Sequence, residues 1–71
     1  MGLPLAMVLS KVGLLLSRQQ GPVRAALEEL GRRGLKIIEM NQFREALVAT
    51  GNWTATMAKE FGEICGVIFG A

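Results

Sequence analysis

The stretch from Gly21 to Met40, GPVRAALEELGRRGLKIIEM, carries a full set of helix signals, and the rest of the chain has to accommodate it. Pro22 suits a first helical turn, where its missing N–H goes unused. Val23, Ala26, Leu27, Leu30, Gly34, Ile37, Ile38 and Asn41 recur at steps of three and four, the stripe that a helix buries. Glu28 with Arg32 and Glu29 with Arg33 form i,i+4 pairs in the favourable order, each contributing about 0.2–0.5 kcal/mol on a solvated face. Gly31 and Gly34 oppose the helix, at about 1 kcal/mol each relative to Ala. The apolar phase nevertheless passes through Gly31-Arg32-Arg33-Gly34 without slipping, so the pattern predicts a continuous or kinked helix to Met40. The alternative ends one helix at Gly31 and makes Leu35 to Met40 a short second piece.

The flanking segments read as helices too. Leu3 to Ser17 is apolar around most of its circumference, with Ser10, Lys11, Ser17 and Arg18 as its one polar strip. Ser17 to Gly21 is the expected break, punctuated by Gly21-Pro22. Asn41 is positioned to cap a short helix from Gln42 to Thr50 that turns Phe43, Ala46 and Leu47 inward, with Gly51 just past its end. A last helix starts with Asn52 or Thr54 as cap and runs to about Phe69. Trp53, Met57, Phe61, Ile64 and Ile68 mark its buried stripe, and Lys59, Glu60 and Glu63 lie outside. Period-two alternation is nowhere sustained, so no strand competes. The expected fold class is all-α, three to five helices in a single domain over 1–71, forming a small oligomeric helical bundle.

Oligomerisation follows from size and composition. A chain of 71 residues buries only about 60% of the surface its unfolded form exposes, so its core needs a supplement. Cys65 is the one cysteine and there is no histidine, which removes an internal disulfide and an ordinary zinc site. With 51% hydrophobic residues and a mean hydropathy of +0.36, the excess should form an apolar patch that pairs with something. Leu5, Leu9, Val12, Leu16, Trp53, Phe61, Ile64 and Ile68 are the expected interface between copies. The first helix would be sandwiched against a second chain, or lie on a membrane with its polar strip in water. The tail after Ile64 reads as an interface or as the edge of a shortened chain.

Catalysis is disfavoured by inventory. Without His, Tyr or Asp the chain lacks a general base poised near neutrality. Adjacent Glu28 and Glu29 point about 100° apart on a helix and do not converge. Cys65 reads as a small buried hydrophobe rather than a nucleophile. The Gly31–Gly34 stretch lacks the spacing and the Lys-Ser/Thr pair of a phosphate-binding loop. No catalytic residue, cofactor, metal or small-molecule substrate is therefore expected. A helix-turn-helix over Thr54 to Ile68 fails because its recognition helix, Ile64 to Ala71, offers no Arg, Lys, Asn or Gln to a base edge. The apolar run near the N-terminus lacks a positively charged start and a cleavage site, falls short of the about 20 residues that span a bilayer, and Ala6 stands where a myristoylation signal wants Ser or Thr.

The net charge is +2, and its distribution is uneven. Up to Leu27 the chain carries Lys11, Arg18 and Arg24 and no acid. Such a basic third can meet phosphates or an anionic membrane; the plainer reading is a solvated rim.

The arrangement over about residues 5 to 68 resembles the flavivirus capsid (core) proteins. The apolar segment MVLSKVGLLLSRQQ is followed by Gly21, Pro22, Val23 and Arg24, similar to the Gly-Pro-hydrophobic-basic sequence that opens the second helix in that family. A short third and a long fourth helix follow in the same order. The resemblance implies an intertwined antiparallel homodimer, an apolar surface for membrane contact, a basic face for RNA, and a location in the virion and host cytoplasm. This chain differs in lacking Lys/Arg-rich ends, and its last helix carries only Lys59 against Glu60 and Glu63. An RNA face would draw on Lys11, Arg18, Arg24, Arg32, Arg33, Lys36 and Arg44. A bacteriocin-like membrane-active bundle and a filament or protein-interaction subunit without nucleic acid are the competing expectations.

Overall fold

The structure is a computed structural model that describes residues 2–70. Met1 and Ala71, and with them the two ends of the expected domain and the last residue of the rejected recognition helix, lie outside the described residues. In chain order the elements are β1 (Leu3–Pro4), α1 (Leu5–Lys11), a 3-10 turn (Val12–Leu14), α2 (Ser17–Arg32), β2 (Ile37–Ile38), α3 (Met40–Ala49) and α4 (Ala55–Phe69). Four α-helices make the fold mostly α, as the periodicity predicts. The two short strands are an addition to it: they pair antiparallel, Leu3 opposite Ile38 and Pro4 opposite Ile37. Two residues carry no readable period, so no sequence pattern could have announced them. The Leu5 N–H continues the tie by donating to the Lys36 carbonyl at 2.8 Å.

The expected first helix, Leu3 to Ser17, is cut short. It stops at Lys11, tightens into the 3-10 turn, and leaves Leu15 extended at φ −80° and ψ 161°. Leu14, Leu15 and Leu16 lie at the break. Successive residues on a helix point about 100° apart, so three leucines in a row cannot share one buried face. The break places Val8, Val12 and Leu15 in the core and leaves Leu14 and Leu16 in solvent.

The second helix begins at Ser17, so the expected break at Ser17 to Gly21 is helical and Pro22 lies inside α2. Pro22 lies past the first turn of α2, so its missing N–H leaves the Arg18 carbonyl without its i+4 backbone donor. Both Gln19 and Gln20 donate their backbone N–H to the Leu16 carbonyl, and the Gln20 amide donates to the Leu15 carbonyl at 2.8 Å. Val23, Ala26, Leu27 and Leu30 are buried along α2 as the stripe predicts.

The continuous helix through Gly31-Arg32-Arg33-Gly34 is overturned. Gly34 adopts φ +84°, a left-handed conformation that glycine tolerates without the Cβ clash other residues suffer. The Leu35 N–H reaches the Leu30 carbonyl at 3.2 Å and the Gly34 N–H reaches Gly31 at 3.0 Å, the paired bonds of a Schellman ending. After it the chain is extended rather than helical, so the short helix of the alternative reading is also absent. Ile37 accordingly falls outside the stripe and is exposed, whereas Ile38 is buried.

Helix α3 is capped by Glu39, not Asn41. The Glu39 N–H donates to Oε1 of Gln42 at 3.1 Å, and Asn41 is exposed inside the first turn. Phe43, Ala46 and Leu47 point inward as expected, and Gly51 follows the helix at φ +74°. Helix α4 runs to Phe69, and the Thr54 hydroxyl accepts the Met57 N–H at 3.1 Å. Phe43 is fully buried between Phe61 and Phe69, with ring centroids 5.8 and 5.9 Å away, and Trp53 meets Phe61 edge-on at 5.3 Å. The folded chain exposes 4346 Å², against about 4,300 Å² from area scaling for a monomeric protein of its mass. One copy therefore closes an ordinary core by itself.

Candidate functional site

The expected interface residues divide sharply. Val12, Ile64 and Ile68 are in the chain's own core, which corrects their assignment to a contact between copies. Leu5, Leu9, Trp53 and Phe61 are half-buried against that core, and Leu16 alone of the eight is well exposed. The helical stripe had marked the intrachain core, because the spacing that builds an interface is the same spacing that builds an interior. The apolar surface that does reach solvent is different: Met7, Leu14, Leu16, Ile37, Met40 and Val48 are between 46% and 74% exposed.

Two of these residues line a groove. Leu14, Leu15, Leu16, Gln19, Glu63, Ile64 and Val67 surround a shallow space of about 100 Å³. A second groove, about 190 Å³, runs between the start of α2 and the start of α4 along Arg18, Gln19, Pro22, Thr54, Thr56 and Met57. Both are below the about 300–1,000 Å³ typical of small-molecule pockets.

Between the grooves lies the polar link of α2 to α4. Arg18 donates from Nη2 to Oε1 of Glu60 at 2.6 Å, and the Gln19 amide donates to the other oxygen of the same carboxylate. Gln19 is the buried polar side chain among the described residues, and Glu60 satisfies it. The sequence pattern put Glu60 outside with Lys59 and Glu63. Its carboxylate is instead mostly covered, with 20% of the side chain accessible, because two donors on α2 converge on it.

The seven expected RNA-facing cations lie on α1, α2, the α2 to β2 connection and α3. Arg18 is engaged by Glu60. Arg32 and Arg33 both turn to Glu29, at 2.6 and 3.4 Å. The anticipated Glu29 to Arg33 pair thus forms, while Arg32 takes the i,i+3 partner instead of Glu28. The Arg32 hydrogen bond and then its charge, with a smaller contribution from Arg33, hold the Glu29 carboxyl below the usual carboxylate range. Arg44 lies over the Trp53 ring, its guanidinium carbon 5.7 Å from the centroid. Lys11, Arg24 and Lys36 have no carboxylate within ion-pair distance among the described residues. Cys65 is buried, and burial pushes its thiol pKa up, which keeps it in the unreactive protonated form.

The surface that sequence reasoning missed is the outer face of α3. Met40, Asn41, Arg44, Glu45, Val48 and Ala49 are all exposed, spaced as three adjacent pairs four residues apart. Its signal was available as the complement of inward-facing Phe43, Ala46 and Leu47. Among the described residues no group of three His, Cys, Asp or Glu side chains could hold a metal ion, and no helix is long and apolar enough to cross a membrane. Comparison with family models, with curated proteins and with solved structures finds no match to this chain.

Proposed function

We propose that this protein is a non-enzymatic, self-associating helical module that acts through its exposed apolar side chains. The observation that carries this reading is the six large apolar residues left in solvent by a chain whose own core is already complete. Isolated exposed leucines are common on soluble proteins, but Leu14 and Leu16 beside an apolar groove, and Met40 with Val48 on one helix face, are clustered. The capsid-like reading, in which RNA is a partner, has weaker support. Three of its seven cations are paired with carboxylates, and the Gly-Pro motif behind the family resemblance sits within α2 rather than at its start. Counterion release needs Lys and Arg free to meet phosphates.

Light scattering and sedimentation of the full chain, from micromolar to millimolar and with or without a generic RNA, test the proposal. Mass that rises with protein concentration in the absence of RNA is the expected result. A chain that stays monomeric throughout and binds RNA with strong weakening by salt would overturn it in favour of the nucleic-acid reading.

A further inference from the structure

We infer that the N-terminal stripe of Pro4, Met7, Lys11 and Leu14, continued by Ile37, lies against an anionic lipid surface. The inference goes beyond self-association and does not rest on it; Leu16, Met40 and Val48 stay exposed for contacts between copies. The four N-terminal residues follow one another at steps of three, four and three, so they share one side of α1 and the 3-10 turn. Val8, Val12 and Leu15, each one residue after a member of the stripe, turn into the core. Ile37 joins the stripe because it stands directly opposite Pro4 in the β1–β2 ladder, and residues opposite in a ladder project from the same face. Three of the six large apolar side chains in solvent, Met7, Leu14 and Ile37, thus fall on one strip.

The charge on that strip selects lipid over a second copy. Lys11 sits between Met7 and Leu14, is half-buried, and has no carboxylate within ion-pair distance among the described residues. No acid belongs to the stripe, and the chain has none before Glu28. Two copies packed stripe to stripe would desolvate both ammonium groups without a counter-ion, which is costly. A lipid surface lets the Lys11 stem lie along Met7 and Leu14 while its charged head reaches a phosphate. Lys36, exposed and likewise without a carboxylate partner among the described residues, adds a cation beside Ile37. Acids bound the stripe at its two ends, Glu39 near Ile37 and Glu63 across the groove from Leu14. Among the described residues no helix is long and apolar enough to cross a membrane, so the contact is one that lies along the interface.

Co-sedimentation of the full chain with vesicles of mixed phosphatidylglycerol and phosphatidylcholine, and with phosphatidylcholine alone, tests this. Binding to the mixed vesicles that weakens with added salt is expected, with little binding to phosphatidylcholine alone. Leu14→Glu and Lys11→Glu should each lower that binding by about tenfold. Lys59→Glu, the same change of charge on the exposed side of α4, should lower it by less than about twofold. Circular dichroism melts check that the variants fold, and Met7→Glu, at a further exposed position of the stripe, repeats the test should Leu14→Glu or Lys11→Glu melt early. Equal binding to both kinds of vesicle, binding to neither, or a loss in Lys59→Glu as large as in Lys11→Glu overturns the proposal. So does a loss of self-association by Leu14→Glu in the absence of vesicles, which makes the stripe a contact between copies.

Discussion

Leu5 to Leu16 and Ala55 to Phe69 are the two most apolar lengths of this chain, yet one is broken into a seven-residue helix and a 3-10 turn while the other is an unbroken helix. Both insert side chains at helical steps. Leu5, Val8, Val12 and Leu15 follow steps of three, four and three, and Met57, Phe61, Ile64 and Ile68 follow four, three and four. What differs is the remainder. In α4 the intervening positions include Lys59, Glu60, Gly62, Glu63 and Gly66, which tolerate the outside of a helix. In the N-terminal segment they include Met7, Leu14 and Leu16, which have no second apolar face to occupy within one copy. Hydrophobicity in excess of one face thus leaves Met7, Leu14 and Leu16 in solvent, whereas hydrophobicity confined to one face leaves no large apolar side chain of α4 exposed.

The sharpest challenge to this contrast compares Ile64→Ala with Leu14→Ala. Ile64 is 1% exposed, and truncating it should destabilise the fold by about 2–5 kcal/mol. Leu14 is 74% exposed, and its truncation should stay within about 0.5 kcal/mol. Urea unfolding of both variants measures the difference; a Leu14 effect equal to that of Ile64 would break the comparison.

The attachment of α4 comes next in size. Replacing Glu60 with Ala strips the buried Gln19 amide of its acceptor, a loss of about 1–3 kcal/mol for an unsatisfied buried donor. Lys59→Ala, one residue earlier and exposed, should change stability by less than about 0.5 kcal/mol. Chemical denaturation of the pair separates a fastening carboxylate from a solvated charge.

A gain is expected within α4 itself. Nothing lies within 4 Å of where a Cβ at Gly62 would sit, so Gly62→Ala should raise stability by about 0.5–1 kcal/mol, through loss of backbone freedom in the unfolded chain. A fall in melting temperature would indicate that this face of α4 is less open than the packing shows.

The smallest effect lies in α2, the helix both regions pack against. The folded Glu29 carboxyl is held below its ordinary value of 4.5, so its ion pairs stabilise the fold above that value. The contribution disappears as pH falls through the lowered folded value. Glu29→Gln should lower the neutral plateau slightly and make the acid limb of the melting profile shallower by the same small amount, the two proteins converging at low pH, because the half-exposed pair is screened by solvent. An identical acid limb in the variant would show that Arg32 and Arg33 give Glu29 no differential stabilisation.

Much of the local structure was readable from particular residues. Thr54 caps α4, Gly51 follows α3, and Val23, Ala26, Leu27 and Leu30 form the inward stripe of α2. Other boundaries were hidden by local signals that nonlocal contacts outweighed. Gly21-Pro22 looked like a helix start, but α2 extends back to Ser17, where Arg18 and Gln19 reach Glu60 of α4. The apolar phase across Gly31 to Gly34 looked uninterrupted, although Gly34 reverses the chain so that Ile37 and Ile38 can meet Leu3 and Pro4. The seven cations could be counted, but whether a carboxylate stood beside each depended on rotamers and on which helices came together. The α3 outer face was legible only after its inward residues were placed.

Taken alone, the chain's residues determined a mostly helical protein, the identity of most of its core side chains, and where α3 and α4 end. These follow from spacing, capping and glycine conformation, which act over a few residues. Only the tertiary structure decided that Val12, Ile64 and Ile68 serve one copy's own interior, that Glu60 is covered by Arg18 and Gln19, and that Met40 and Val48 remain outside. The reason is geometric. A helical stripe specifies that a face must be buried, but which surface covers it depends on how the helices are brought together, and that is set by contacts between residues far apart in the chain.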